Sequence, residues 1–473
     1  MEDGFLLIIH LEKLGDLVNS IPTACDVLVI GGGPAGSSIA TSLSQAGIDV
    51  VVLERVSFPR NQVGESLIPH IWKFTDLLGV SDKIKKEGFL AKAGGVTVWN
   101  KKIHQILFSD FGYSEPGLHV ERDIFDNILL QHAISNGASI FTEVVVKDVN
   151  FDDDNLPEVS YIEKCNEVNS KGVIRCQFVV DASGHSSFLS KKFKTRQTIS
   201  SQFNFLSMWG YFENSRYVGV DRRSHMPDSL AEIKPVTFVM SYREGWIWHI
   251  VLRNKTSVGL ILSTQTSKTM DARKRELFFK ETCSNLPYLS KLLEPAKFIE
   301  GSLRYRPDYS YYSNNMCGEN YYCIGDSAAF VDPIFSHGVQ NAFYNAAIAS
   351  VAIKASLKNK KNKLRYSQLC ESRMQQFYGL SRALSLGDFG CNGVDAALVK
   401  NLMKLQSPLE LELMLVASEM TNRSDNFRRL AREAGVLTPI GDQMNSCLDE
   451  ALVTLELKWL RVSSCCFKAL TGS

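Results

Sequence analysis

The chain has 473 residues, of which 45% are hydrophobic and 22% charged, and 52 basic against 51 acidic side chains leave a formal net charge of +1. That length suits two or three domains with a substantial core, and the balance excludes a coiled coil, a collagen-like chain, a disordered chain and a protein that binds nucleic acid by neutralising phosphates. The eleven cysteines are scattered, odd in number and without a CxxC pair, which predicts a reducing, cytoplasmic setting with no disulfide framework and no metal site.

Residues 1–23 start acidic and hold only a short apolar run, Phe5 to Leu11, interrupted by His10. They read as an N-terminal helical extension rather than a signal peptide, and no run approaches the roughly 18 apolar residues of a membrane span. The segment 25–55, CDVLVIGGGPAGSSIATSLSQAGIDVVVLER, then runs from a buried strand through a glycine turn and a small-residue helix to a second, Val-rich strand. Gly31, Gly33 and Gly36 have G-x-G-x-x-G spacing, and Glu54 lies 18 residues after the last glycine, at the end of the second strand. In such a βαβ unit the first glycine permits the tight turn and the second lets a pyrophosphate approach the backbone. The third packs helix on strand, and the acidic residue reaches a ribose. The pattern predicts a dinucleotide site built from Gly31, Gly33, Pro34, Ala35, Gly36, Glu54 and Arg55.

Residues 110–196 alternate a helical stretch, 121–137, with strand-like stretches, and 155–171 reads as a hairpin tip. Residues 200–300, with TFVMSYREGWIWHIVLR (237–253) and SVGLILST (257–264), read as the sheet of a second, substrate-facing region that takes in part of 88–118. From Gln340 onward helix formers dominate. No second G-x-G-x-x-G follows a predicted strand.

In chain order the glycine fingerprint, FPRNQVGESLIP (58–69), VERDIFD (120–126), VVDASG (179–184) and YYCIGDSAAFVDP (321–333) resemble the FAD-dependent oxidoreductases of the hydroxybenzoate-hydroxylase type. The resemblance implies an α/β (α+β) fold. Its FAD-binding Rossmann-type domain would be discontinuous over 24–199 and 301–360, the antiparallel substrate sheet would span 200–300, and a helical C-terminal region, 361–473, would cover the substrate cavity. It also implies that Arg122, Gly325, Asp326 and Pro333 approach the flavin.

Three further features are similar to the phenol-type flavin-dependent halogenases. GWIWHIV (245–251) resembles their G-W-x-W-x-I-P signature through Trp246, Trp248 and Ile250, and departs from it at Val251. On the residues alone it is equally a strand with two tryptophans on one face. FVDPIFSHG (330–338) matches F-x-x-P-x-x-S-x-G, which implies a halide held at Ser336, His337 and Gly338 by amides that open a helix. Lys92, in GFLAKAGGVTVW (88–99), resembles the F-x-x-K-x-G arrangement and is implied to be the catalytic residue. Its apolar neighbours would favour the neutral amine, able either to steer a hypohalous acid or to form a haloamine.

The chemistry so implied uses FAD as FADH2, O2 and chloride or bromide to make hypohalous acid, which halogenates a phenolic or other electron-rich aromatic metabolite. That substrate would be a small molecule, a peptide or a carrier-tethered group. One dinucleotide fingerprint points to a separate flavin reductase as electron source. Phe335 stands where tryptophan halogenases carry a glutamate, which favours a phenol able to supply its own electronic push. His70, His119 and His249, near the motifs, are able to help ionise a phenol, although each reads more readily as a structural or surface histidine. Two alternatives share the fold: an FAD monooxygenase that hydroxylates or epoxidises, and a reductase of the geranylgeranyl-reductase type, which has a segment like Pro59 with Gly64, Glu65 and Ser66.

Overall fold

The computed structural model describes residues 20–99, 102–151, 156–165, 168–198, 205–263, 270–307, 310–386 and 460–461. The chain opens with β1 (Ala24–Ile30), α1 (Pro34–Ser44) and β2 (Val50–Leu53), followed by the short strand β3 (Ser66–Leu67). Next come β4 (Leu90–Lys92), β5 (Gly94–Trp99), β6 (Lys102–Leu107) and β7 (Gly117–His119). Helix α2 (Arg122–Ser135) leads into β8 (Ser139–Phe141), β9 (Val144–Asn150), β10 (Glu158–Cys165) and β11 (Val168–Asp181). Then follow β12 (Phe205–Glu213), β13 (Thr237–Tyr242), β14 (Gly245–Val251), β15 (Thr256–Ser263), β16 (Lys297–Phe298), β17 (Arg304–Pro307) and β18 (Tyr321–Cys323). Two long helices, α3 (Gly338–Lys358) and α4 (Lys363–Leu386), complete these elements.

The first sheet runs β8-β2-β1-β11-β10-β9, with β18 on β11. Its centre is parallel, Val29 lying opposite Val52 on one side and Val180 on the other. Val27 to Ile30 and Val50 to Leu53 are buried without alternation, as strands covered on both faces require. Helices α1 and α3 pack together in the same core, through Ile39, Leu43, Ala346 and Ile353.

The second sheet runs β16-β12-β15-β14-β13-β5-β6, with β17 on β12 and 460–461 on β6. Its two faces serve different ends. Met208, Phe238, Ile247, Val258 and Leu260 fill a core on one face, while Ser207, Trp209, Thr237, Val239, Trp246 and Trp248 turn to a cavity on the other.

Between the two sheets lies a three-stranded ribbon, β3-β7-β4, that sets Ser66 opposite His119 and Lys92 opposite Gly117. Gly117 is required there, because a Cβ would come 2.4 Å from the Leu67 carbonyl oxygen. The chain passes from ribbon to second sheet at Ala93, so Lys92 belongs to the ribbon and Gly94 to the sheet.

Of the stretch 155–171, expected as a hairpin tip, most is strand instead: β10 and β11 pair antiparallel as far as Cys165 opposite Val168. Of the N-terminal extension, 1–19 lies outside the described residues. So does most of the C-terminal region beyond Leu386, where the cavity-covering role was expected. Among the described residues no helix is long and apolar enough to cross a membrane.

Candidate active site

A cavity of about 540 Å³ opens between the two sheets. At one end is the β1–α1 turn. Gly31 has φ +102°, and a Cβ on it would stand 2.6 Å from the Ala182 carbonyl oxygen. Helix α1 begins at Gly33 with Pro34 in its first turn and no side-chain cap, so its orphan amides are free to meet an anion. Gly31, Gly33, Pro34 and Ala35 line the cavity; Gly36 sits behind it, where a Cβ would come within 1.9 Å of the Gly31 oxygen.

Glu54 locks this turn to the end of β2. Its Oε2 accepts from the Gly32 amide at 2.8 Å and its Oε1 from the Val56 amide at 3.1 Å. Each oxygen keeps a lone pair for a further hydroxyl, and Glu54 is on the wall with Arg55. An uncapped helix start, a glycine cradle and an acidic group at the second strand's end fit the pyrophosphate and ribose of a dinucleotide.

Arg122 is on the wall but largely committed to the protein. Its Nε and Nη2 donate to the two Asp126 oxygens at 2.7 and 3.0 Å, and Nη1 donates to the carbonyls of Val63 and Gly64 at 2.7 and 3.2 Å. This buried bidentate pair holds the 63–64 turn against the cavity. Asp326 is also on the wall, 3.6 Å from His185 Nδ1, whereas Gly325 lies behind, its amide donating to Asn345 Oδ1 at 3.0 Å.

Trp246, Trp248 and Ile250 form the floor. The indoles sit 5.9 Å apart, and Trp248 donates from Nε1 to Ser257 Oγ at 3.2 Å. Its ring fills the space over Gly259, where a Cβ would clash at 2.0 Å. Opposite, Asp332 Oδ1 accepts from the Ile334 amide and fixes a turn in which Ser336 adopts φ +58° before α3 starts at Gly338. Pro333, Ser336 and Gly338 reach the cavity. His337 does not: it is buried with its ring 5.7 Å from Phe335.

Lys92 lies one layer behind the wall. It is 4% exposed, its Nζ donates to Ser66 Oγ at 2.8 Å, and it stands 5.3 Å from the centre of the Phe108 ring. Burial alone lowers its pKa from 10.5 to about 7. Ser66 Oγ also accepts from Ser336 Oγ at 3.1 Å and bonds Thr237 Oγ1 at 3.0 Å, which in turn bonds His119 Nε2 at 2.8 Å. Burial first, and the Lys92 charge second, hold His119 well below the usual histidine range. His249 is on the far face of β14, bonded to Ser215 at 2.8 Å.

Sequence reasoning missed Glu65 on the cavity wall. Tyr211 donates to its Oε1 at 2.9 Å, and burial raises its pKa from 4.5 to about 7 against the opposing pull of Ser257, Tyr211, Lys255 and Arg122. The folded value exceeds the unfolded one, so the folded state holds a proton that the unfolded chain releases between about 4.5 and 7, and stability falls as pH rises through that window. Glu65→Gln is therefore expected to stabilise the protein by about 2 kcal/mol at pH 6 and by nothing at pH 3.5, measured by urea unfolding of both proteins.

Residues 24–378 match the family model of the FAD binding domain. The chain is 30% identical over 337 residues to the tryptophan 2-halogenase of Chondromyces crocatus, covering 71% of this chain and 62% of that protein. It is 32% identical over 391 residues to the flavin-dependent halogenase gsfI of Penicillium aethiopicum, covering 76% of this chain and 70% of that one. The solved structure of the myxobacterial chondrochloren halogenase CndH, an FAD-dependent halogenase, is similar with a TM-score of 0.70 at 28% identity, over 85% of this chain and 91% of that one. The chain thus belongs to the flavin-dependent halogenases, a family built on the FAD-binding fold.

Proposed function

We propose that this chain is a halogenase that uses reduced FAD, O2 and chloride or bromide to halogenate a phenolic or similarly electron-rich aromatic metabolite, with Lys92 as its catalytic residue. One observation carries the reading: a buried amine with a pKa lowered to about 7 stands one hydroxyl behind the wall of a cavity fitted to a dinucleotide. The α1 amides with Gly31, Gly33, Pro34 and Ala35, the Glu54 carboxylate, and Arg55, Arg122, Asp326 and Pro333 around the cavity would hold FAD. When bound and reduced, FAD would supply two electrons to dioxygen, and the halide, giving up the other two, would be released as hypohalous acid with water as the second product.

The residues of the chain do the rest. Ser336 and the amides of His337 and Gly338, at the uncapped positive end of a 21-residue helix, receive the halide. Trp246, Trp248 and Ile250 keep the cavity floor apolar and exclude water. Near pH 7 the Lys92 amine is in part neutral, and it orients the electrophile by hydrogen bonding or takes up the halogen as a haloamine. Phe335, buried on the same loop, offers no carboxylate base, which suits a phenol that loses its own proton. A separate flavin reductase would supply FADH2, and the substrate would be free, part of a peptide or carrier-tethered.

The test is turnover of a panel of phenols, indoles and pyrroles by purified protein with FAD, a flavin reductase, NADH, oxygen and bromide, read by high-resolution mass spectrometry. A bromine isotope doublet on a phenol is expected. A product carrying added oxygen, formed equally without halide, would instead establish the monooxygenase.

A further inference from the structure

Of the hydroxyl side chains on the cavity wall, those of Ser66, Thr237 and Ser336 are bonded to one another, and Lys92, bonded to Ser66, is not itself on the wall. Anything formed in the cavity meets these hydroxyls before it meets the amine. Among them Ser66 is the junction: it contacts Lys92 Nζ at 2.8 Å, Thr237 Oγ1 at 3.0 Å and Ser336 Oγ at 3.1 Å. It comes from β3, Thr237 from β13 and Ser336 from the loop before α3, so the contact joins the ribbon, the second sheet and the helix start.

We propose that Ser66 is the positioning residue for Lys92: its hydroxyl aims the amine at the cavity and marks the port between the two. The proposal rests on the halogenase reading for its purpose, though not for its geometry. A serine suits the position because one hydroxyl can accept from an ammonium and donate to a neutral amine. Thr237 and His119 Nε2 can follow either polarity, since a neutral imidazole nitrogen donates or accepts according to its tautomer.

Among the described residues no carboxylate competes for this role. Among the described residues the titratable group that faces Lys92 is His119, reached through Thr237. Glu65, although next to Ser66 in sequence, turns its carboxyl to Tyr211 because successive residues of extended backbone point to opposite sides. Burial is accordingly the whole cause of the lowered Lys92 pKa.

The test is an NMR titration of the FAD-loaded protein labelled with [ε-13C]lysine, the Lys92 signal being assigned by its loss in Lys92→Met. Ser66→Ala takes away the hydroxyl that solvates the ammonium, so the Lys92 midpoint is expected to fall by about one pH unit. Ser66→Thr, which keeps a hydroxyl, is expected to restore it. Should the alanine variant fail to fold, Ser66→Cys keeps the shape with a weaker acceptor and is expected to move the midpoint the same way by less. An unmoved midpoint in the alanine or cysteine variant, or an equal fall in the threonine variant, would overturn the proposal. The titration needs no turnover: a chain that halogenates nothing yet shows the further fall in Ser66→Ala would fail the functional reading alone, and an active halogenase whose midpoint does not move in Ser66→Ala would fail the positioning role alone.

Discussion

Lys92→Ala is expected to lower the halogenated product by about 10³-fold, the scale on which a positioned proton-transferring or nucleophilic group contributes. The expectation follows from where the amine lies. It is buried behind the wall, its Nζ is bonded to Ser66, and the Phe108 ring closes the site beside it. Alanine removes the basic nitrogen without touching the glycine turn, Glu54 or the Arg122–Asp126 pair, so flavin content should match that of the parent protein. Lys92→Arg is expected to fail equally, because a guanidinium stays charged at any accessible pH and cannot present a neutral nitrogen. Product is measured by mass spectrometry with flavin content measured in parallel. Retention of more than about a tenth of the product in the alanine variant would sink the catalytic assignment, since loss of a group of this kind costs at least about 10²-fold.

The parts of this site that were legible in the sequence are those fixed by local backbone geometry. The G-x-G-x-x-G turn needs φ +102° at Gly31 and contact with bare backbone at Gly36, both local demands that leave a spacing to read. Trp246 and Trp248 share a face because a strand repeats every two residues, and that repeat is written in the order of the residues. Lys92 stands out through its resemblance to the F-x-x-K-x-G arrangement, and its apolar neighbours point to burial. What a motif marks, however, is backbone conformation rather than exposure: Gly36 packs helix on strand as its place in the pattern implies, while Gly325 and the ring of His337 sit behind the wall.

The rest of the site depends on contacts between distant segments. Thr237 meets Ser66 across 171 positions and His119 across 118, and nothing local in either segment announces the meeting. His119, directly before the VERDIFD segment, read as a structural histidine because nothing in that segment shows what it meets; only strand pairing in the ribbon brings it to Ser66 and, through Thr237, into the Lys92 network. Glu65 was visible within the G-E-S segment, but its importance comes from Tyr211 on β12, 146 residues away, and from a burial that the sequence alone does not specify.

The buried amine should also be measurable as a stability penalty. Lys92 titrates at about 7 when folded against 10.5 when free, so between those values the unfolded chain holds a proton that the folded chain has released. Stability therefore rises with pH across that window; the penalty is absent above 10.5 and complete below about 7. At pH 7 it amounts to about 4 kcal/mol, at about 1.4 kcal/mol for every pH unit separating the folded and unfolded values. Lys92→Met keeps a flexible chain of similar size and removes the charge. After about 1 kcal/mol for the lost bond to Ser66, the variant is expected to be about 3 kcal/mol more stable at pH 7. Its advantage should shrink steadily with rising pH and vanish before pH 10.5. Urea unfolding of both proteins at about pH 7, 8, 9 and 10 checks this, and because every other lysine is common to the pair, only Lys92 enters the difference. A difference that stays constant with pH would mean the amine is not desolvated in the folded protein. A variant that makes no product yet is harder to unfold is the outcome expected of a side chain held in place for its chemistry against the preference of the fold.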